Sequence, residues 1–230
     1  FDKPPLSCSD KNNNTFLSFS GTSDSLIIDG NSFNLLNTSF SLVKYDSLGN
    51  LKWFKNFGST QNGEIRLYGL DTDDEGNVYV GGWYDHSMTI DNFYLPNDSA
   101  DGGGFYMHFP DVFISKFDPN GNAIWVRTIN TPAVDDIYSL KVCGSSLYFS
   151  GSSISSSFGN FNFMGGRYLI KADTSGNGQW IKYANGGNIS LNEFLPDPTG
   201  SLYLTGGYSG YAGSPATFGS FTFPDASYKM

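Results

Sequence analysis

Phe113-Ile-Ser-Lys-Phe-Asp-Pro-Asn-Gly-Asn-Ala-Ile-Trp-Val-Arg-Thr128 decides the fold, because the chain writes nearly the same passage twice more. The other copies are Leu42-Val-Lys-Tyr-Asp-Ser-Leu-Gly-Asn-Leu-Lys-Trp-Phe-Lys55 and Leu169-Ile-Lys-Ala-Asp-Thr-Ser-Gly-Asn-Gly-Gln-Trp-Ile-Lys182. Each runs from an apolar strand through Lys-x-Asp to a Gly-Asn pair, and then to a second strand carrying Trp. That is a β-hairpin with its turn written out: Asp46, Asp118 and Asp173 bond back to the turn backbone, and Gly49, Gly121 and Gly176 supply the positive φ that closes it. Trp53, Trp125 and Trp180 recur at one place in the second strand, where a large ring fills space between stacked sheets.

Working outward, further segments recur around the hairpin. Short strands closing on glycine occur as Leu17-Ser-Phe-Ser-Gly21, Val78-Tyr-Val-Gly-Gly82, Leu147-Tyr-Phe-Ser-Gly151 and Leu202-Tyr-Leu-Thr-Gly206, spaced 61, 69 and 55 residues apart. This alignment puts Ser18 where the later copies have Tyr79, Tyr148 and Tyr203. Each copy is followed by a tight apolar-polar-apolar turn: Ile28 to Leu35, Ile90 to Leu95, Phe158 to Phe163 and Phe218 to Phe223. The Asp-x-x-Gly-[Asn/Ser] turn also appears at Asp73 and Asp197, five times in all. A period of this size containing about four strands predicts an all-β propeller of four-stranded antiparallel blades, with about four blades in the chain. Apolar residues on both sides of the Lys-x-Asp strand predict a sheet covered on both faces.

The pattern Phe-x-x-Lys-[Tyr/Phe]-Asp-x-x-Gly-Asn-x-x-Trp-x-[Lys/Arg], with Asp-x-x-Gly-Asn-x-Tyr-Val-x-Gly after it, resembles the bacterial β-propeller repeat usually called the SBBP repeat. The resemblance covers nearly everything from Leu17 onward; Ala172 departs from it, standing where an aromatic is usual. It implies an exported protein, often part of a longer cell-surface chain, with no shared catalytic residues. Residues 1–14, with Pro4-Pro5 and Asn12-Asn13-Asn14, read as an extended lead-in, and 15–230 as the recurring β domain. Recurrence stops at Ser227-Tyr-Lys-Met230, where another Lys-x-Asp strand is due, so a fragment of a longer propeller is expected. A start at Phe1 fits a mature chain without its signal peptide, or a trimmed one.

Composition narrows the partners. The net charge of −9 disfavours nucleic acid, whose recognition needs a Lys/Arg-rich face, and equally disfavours anionic membranes. No apolar run has the length of a membrane-spanning helix, so no membrane insertion is expected. Cys8 and Cys143 have no framework spacing, which favours free thiols over a bridge.

Among site candidates, Asp71, Asp73 and Glu75 imitate the start of a calcium loop, but Gly82 stands where calcium needs a bidentate acid. A hairpin turn explains that stretch better, and no cofactor is expected. His86 and His108 are the only histidines and carry no zinc or triad spacing. An insertion at 96–111 offers a partner-binding loop in which Asp98 and Asp101 stand beside Phe105, Tyr106, Met107 and His108. The expected function is a non-enzymatic, exported module that binds a protein or glycan at the cell surface, with the periplasm as another compartment. The alternatives are a structural subunit of an outer-membrane secretion or motility assembly, and a propeller enzyme such as a polysaccharide lyase, hydrolase or quinone-dependent dehydrogenase.

Overall fold

Apolar and β-branched or aromatic runs, many of them separated by Asp-x-x-Gly turns, build the antiparallel strands. The computed structural model describes residues 5–59, 61–97, 109–186, 188–209 and 215–223. The described residues are all-β, with 66% in strands and none in a helix, arranged as several antiparallel sheets, and no sheet among them closes on itself.

Three four-stranded meanders form the body. The first contains β1 (Leu6–Ser9), β2 (Thr15–Gly21), β5 (Thr38–Tyr45) and β6 (Leu51–Ser59). The second contains β7 (Ile65–Thr72), β8 (Val78–Tyr84), β11 (Asp111–Phe117) and β12 (Ala123–Ile129). The third contains β13 (Asp136–Cys143), β14 (Ser146–Phe158), β15 (Phe161–Asp173) and β16 (Gly178–Asn185). A separate pair, β17 (Asn188–Pro196) and β18 (Leu202–Ser209), repeats the first half of a meander.

Small hairpins follow the second strand of a unit: β3 (Ser25–Ile28) with β4 (Asn31–Asn34), β9 (Met88–Ile90) with β10 (Phe93–Leu95), and β19 (Thr217–Phe218) with β20 (Phe221–Thr222). In the third meander the prolonged ends of β14 and β15 play this part. Two of these hairpins extend the sheet before their own: β9 pairs with β6 at Gly58 and Thr89, and β19 pairs with β16. Each therefore ties one sheet to the next.

The sheets stack face to face. Strand β11 shows why both its faces are apolar: Phe113 and Phe117 join the core shared with the first meander, while Val112 and Ile114 join the core shared with the third. Phe113 stacks on Phe40 at 5.4 Å between ring centroids, and Phe117 packs on Phe57 at 5.1 Å. On β15, Tyr168 and Ile170 face the second meander and Leu169 faces β17 and β18. First strands lie against one another in order, β1 on β7, β7 on β13 and β13 on β17. The approach of β13 to β7 is close enough that a Cβ at Gly69 would overlap Leu140.

The expected lead-in over 1–14 contains more than an extended tail. Strand β1 pairs with β2, and Asp10 to Asn14 form a sixth turn of the same kind. Asn13 occupies it at φ 57, where the other copies use glycine. This sixth turn corrects the alignment of the first copy by two residues. Phe16 lies opposite Lys44 just as Tyr79 lies opposite Lys116 and Tyr148 opposite Lys171, so Phe16 and not Ser18 holds the aromatic position.

Cys8 and Cys143 are both free thiols. Burial, reinforced by nearby Asp71, pushes the Cys8 thiol up to about 12, which keeps it protonated and unreactive.

Candidate interaction surface

All six Asp turns project from one end of the sheets, because the first and third connections of an antiparallel meander lie on the same side. Within each, the Asp N–H donates to the carbonyl four residues on, and the residue three on donates back to the Asp carbonyl. The carboxylate then accepts the remaining N–H groups. Asp118 Oδ1 takes those of Asn120 and Asn122 at 2.8 and 2.9 Å, and Asn122 Nδ2 donates to Oδ2 at 2.9 Å. At Asp46 the Asn50 donors hold the carboxyl below its ordinary range. Burial opposes ionisation at Asp10, Asp73, Asp118 and Asp173, yet the converging hydrogen bonds outweigh it and their carboxyls also lie low.

The recurring lysine and tryptophan act between sheets. Lys44 Nζ and Trp53 Nε1 both donate to the Pro119 carbonyl, each at 3.0 Å, and Pro119 is the residue after Asp in the second meander's turn. One sheet further on, Lys116 Nζ and Trp125 Nε1 donate to the Thr174 carbonyl, at 3.3 and 3.2 Å. Thr174 occupies the same place in the third meander's turn. The turn glycine lies beneath the ring: a Cβ at Gly121 would sit 3.2 Å from Trp53, and one at Gly176 would sit 3.4 Å from Trp125.

Each clamp rests on the aromatic opposite its lysine. Lys44 Nζ lies 5.1 Å from the centroid of Phe16, and Lys116 Nζ 5.1 Å from that of Tyr79. Trp53 and Trp125 pack on the same rings at 6.0 and 6.1 Å. The second clamp also holds a buried ion pair, with Lys116 Nζ 3.3 Å from Asp73 Oδ2 and the Tyr79 hydroxyl donating to that oxygen at 3.0 Å.

The calcium-like stretch is taken up by these contacts. Asp73 is saturated by Glu75, Asn77, Tyr79 and Lys116, while Asp71 Oδ2 accepts the Val142 N–H at 2.8 Å. Glu75 takes part through its backbone N–H. Among the described residues no group of three His, Cys, Asp or Glu side chains is placed to hold a metal. His86 Nδ1 lies 2.8 Å from Asp85 Oδ1, which also accepts the Glu64 N–H.

The insertion singled out by the sequence springs from the opposite end. Asp98, Asp101, Phe105, Tyr106, Met107 and His108 lie outside the described residues. Its base is pinned: Asn97 Nδ2 donates to the Phe109 carbonyl at 2.9 Å and to the Tyr84 carbonyl at 3.3 Å, and the Tyr84 hydroxyl donates to the Pro96 carbonyl at 2.9 Å. On the far side, the Asp135 N–H donates to the Pro110 carbonyl at 2.9 Å. Asp135 is fully buried, its Oδ1 accepts from the Thr131 hydroxyl at 3.1 Å, and burial raises its carboxyl to about 6. Sequence reasoning missed this acid, which sits in an ordinary Pro-Ala-Val-Asp-Asp loop without motif or period.

No helix among the described residues is long and apolar enough to cross a membrane. Comparison with protein-family models returned no match, and comparison with curated proteins returned none either.

Proposed function

We propose that this chain is a rigid, non-enzymatic β-propeller segment of SBBP-repeat type, exported to the bacterial surface, where its loops bind a protein or a glycan. The observation that carries the reading is the stack of meanders whose first strands lie against one another, with Lys–Trp clamps and linking hairpins between them. Wedge-shaped sheets around an axis have that arrangement, and the large rings fill the gap that widens away from it. The recurring charged groups are spent on turns and clamps, so recognition falls to segments outside the recurrence. The pinned base at Asn97 and Phe109 supports the 98–108 insertion as that segment. Exposed Tyr203 and Leu204 favour a second reading, a subunit seated in a larger surface assembly.

The test replaces residues 98–108 by Gly-Gly and measures retention of surface polysaccharides and surface proteins on the immobilised chain. Retention lost by a folded deletion supports the binding reading, and unchanged retention removes the loop from it. Release of shortened or unsaturated sugars from a polysaccharide panel would overturn the non-enzymatic assignment.

A further inference from the structure

The third meander carries the same set of lysine, facing aromatic ring and tryptophan as the first two. Lys171 lies opposite both Tyr148 and Trp180. Its Nζ is 5.5 Å from the Tyr148 centroid, and Trp180 packs edge-on against Tyr148 at 6.2 Å and 63°, against 6.1 Å and 68° for Trp125 on Tyr79. The donors are therefore set in the geometry that, twice in this molecule, converges on one carbonyl. Here neither Lys171 Nζ nor Trp180 Nε1 has an acceptor among the described residues. Lys171 also lacks the carboxylate that Lys116 finds in Asp73, because the β13–β14 turn is Gly144-Ser145 and contains no acid.

Next to this clamp, β18 pairs with β17 along one edge and with no described strand along the other. Tyr203 and Leu204 on β18 are 63% and 38% exposed, whereas Tyr79 and Val80 at the matching places of β8 are both 0% exposed. In the second meander those residues are covered because β11 pairs on β8. Lys171, Tyr148 and the Asp197–Gly200 turn border an open depression of about 560 Å³.

We propose that Lys171, Trp180 and the free edge of β18 form a docking site for a β-hairpin with an Asp-x-x-Gly-Asn turn. One strand of the hairpin pairs antiparallel with β18. The residue after its turn Asp gives its carbonyl to Lys171 Nζ and Trp180 Nε1. The occupant is fixed by the two filled clamps, since both receive that turn and the same carbonyl within it. Charge agrees: the Asp173 carboxyl in the filled second clamp feels Lys116, and an incoming turn brings its acid to Lys171, which has no ion-pair partner among the described residues. Edge pairing supplies main-chain hydrogen bonds and the clamp supplies selectivity for the turn. The site rests on clamp geometry and does not depend on whether the sheets close into a ring or on what the loops bind.

The test uses the chain's own β11–β12 hairpin, Asp111 to Ile129, as a synthetic peptide held closed by a disulfide between added terminal cysteines, because free hairpins are marginal in water. Binding to the full chain is measured by calorimetry for wild type, Trp180→Phe, Lys171→Met and the surface control Lys52→Met, with folding of each checked by circular dichroism. Wild type and Lys52→Met are expected to bind alike. Trp180→Phe keeps the ring and loses the donor, Lys171→Met keeps the stem and loses the charge, and each is expected to weaken binding about fivefold to tenfold. A peptide with Asp118→Ala and Gly121→Ala, which cannot form the turn, is expected to bind at least as weakly. The proposal is overturned if wild type does not bind the closed hairpin, if both clamp variants bind as wild type does, or if the turn-broken peptide binds as well as the intact one.

Discussion

Tyr79, Tyr148 and Tyr203 stand six residues after, or in register with, the same turn position of successive sheets, yet their exposures are 0%, 3% and 63%. The residue type and the local turn do not differ enough to explain this. Tyr79 and Tyr148 have a Lys-bearing strand paired alongside and a Trp against the ring, and Tyr203 has neither among the described residues. Burial in this molecule is thus conferred by the adjacent hairpin and the following sheet. A sheet element can be fully formed and still lack most of its packing free energy.

The largest way to break this comparison is at the tryptophans. Trp125 is 7% exposed and bonded across to Thr174, whereas Trp180 is half-buried and has no such acceptor among the described residues. Trp125→Ala is expected to cost about 3–5 kcal/mol, through the lost ring and the cavity it leaves. Trp180→Ala is expected to cost less than half of that. Urea midpoints of the two variants check the difference, and equal losses would show that the ring acts within its own sheet and not across the joint.

The turn aspartates and the buried loop acid Asp135 differ in the sign of their pH dependence, although Asp71, buried beside the Asp73 turn, is raised as Asp135 is. At the turn end, the carboxyls of Asp46, Asp73, Asp118 and Asp173 lie below their ordinary range, so the stability they confer is present above about pH 4 and lost as pH falls through their folded values. At the loop end, burial raises Asp135 to about 6 and also raises Asp136. A raised carboxyl works the other way: its contribution is full below about pH 4 and disappears as pH rises through 6. For Asp135 this amounts to about 2–3 kcal/mol between pH 7 and pH 4. Asp135→Asn removes the titration, so the stability difference between variant and wild type is expected to shift by that amount across the window. A difference that stays constant from pH 7 to pH 4 would refute the buried-acid account.

How much of this was legible in the sequence follows from where each interaction keeps its information. The hairpin around Asp118 and Gly121 was readable because its donors and acceptors lie within five residues and need particular side chains. Coverage of β11 on both faces was readable from its apolar run. The target of Trp53 was not, because a backbone carbonyl such as that of Pro119 has no residue signature. Nor was Asp135, whose environment is assembled from Thr131, Pro110 and the strands behind them. The register of the first copy was misread because Asn13 takes the left-handed position that the other copies give to glycine, which hid both the turn and Phe16.

That asparagine provides the smallest test. Asn13 sits at φ 57, a region where a side chain is strained and Asn only partly tolerated, while Gly49, Gly76, Gly121, Gly176 and Gly200 hold the matching place at φ between 79 and 89. Asn13→Gly is expected to stabilise the chain by about 0.5 kcal/mol, relief of strain exceeding the extra entropy of glycine in the unfolded chain. The reverse change, Gly121→Asn, is expected to destabilise, because its Cβ brings the same strain and also meets Lys55 at 3.1 Å and Trp53 at 3.2 Å. Gly49→Asn separates the two causes: it introduces the strain alone, since no atom lies within 4 Å of where its Cβ would stand. If Gly121→Asn and Gly49→Asn lose equal stability in urea, contact of the turn with the neighbouring Lys55 and Trp53 adds nothing, and glycine is present at 121 for its φ angle only.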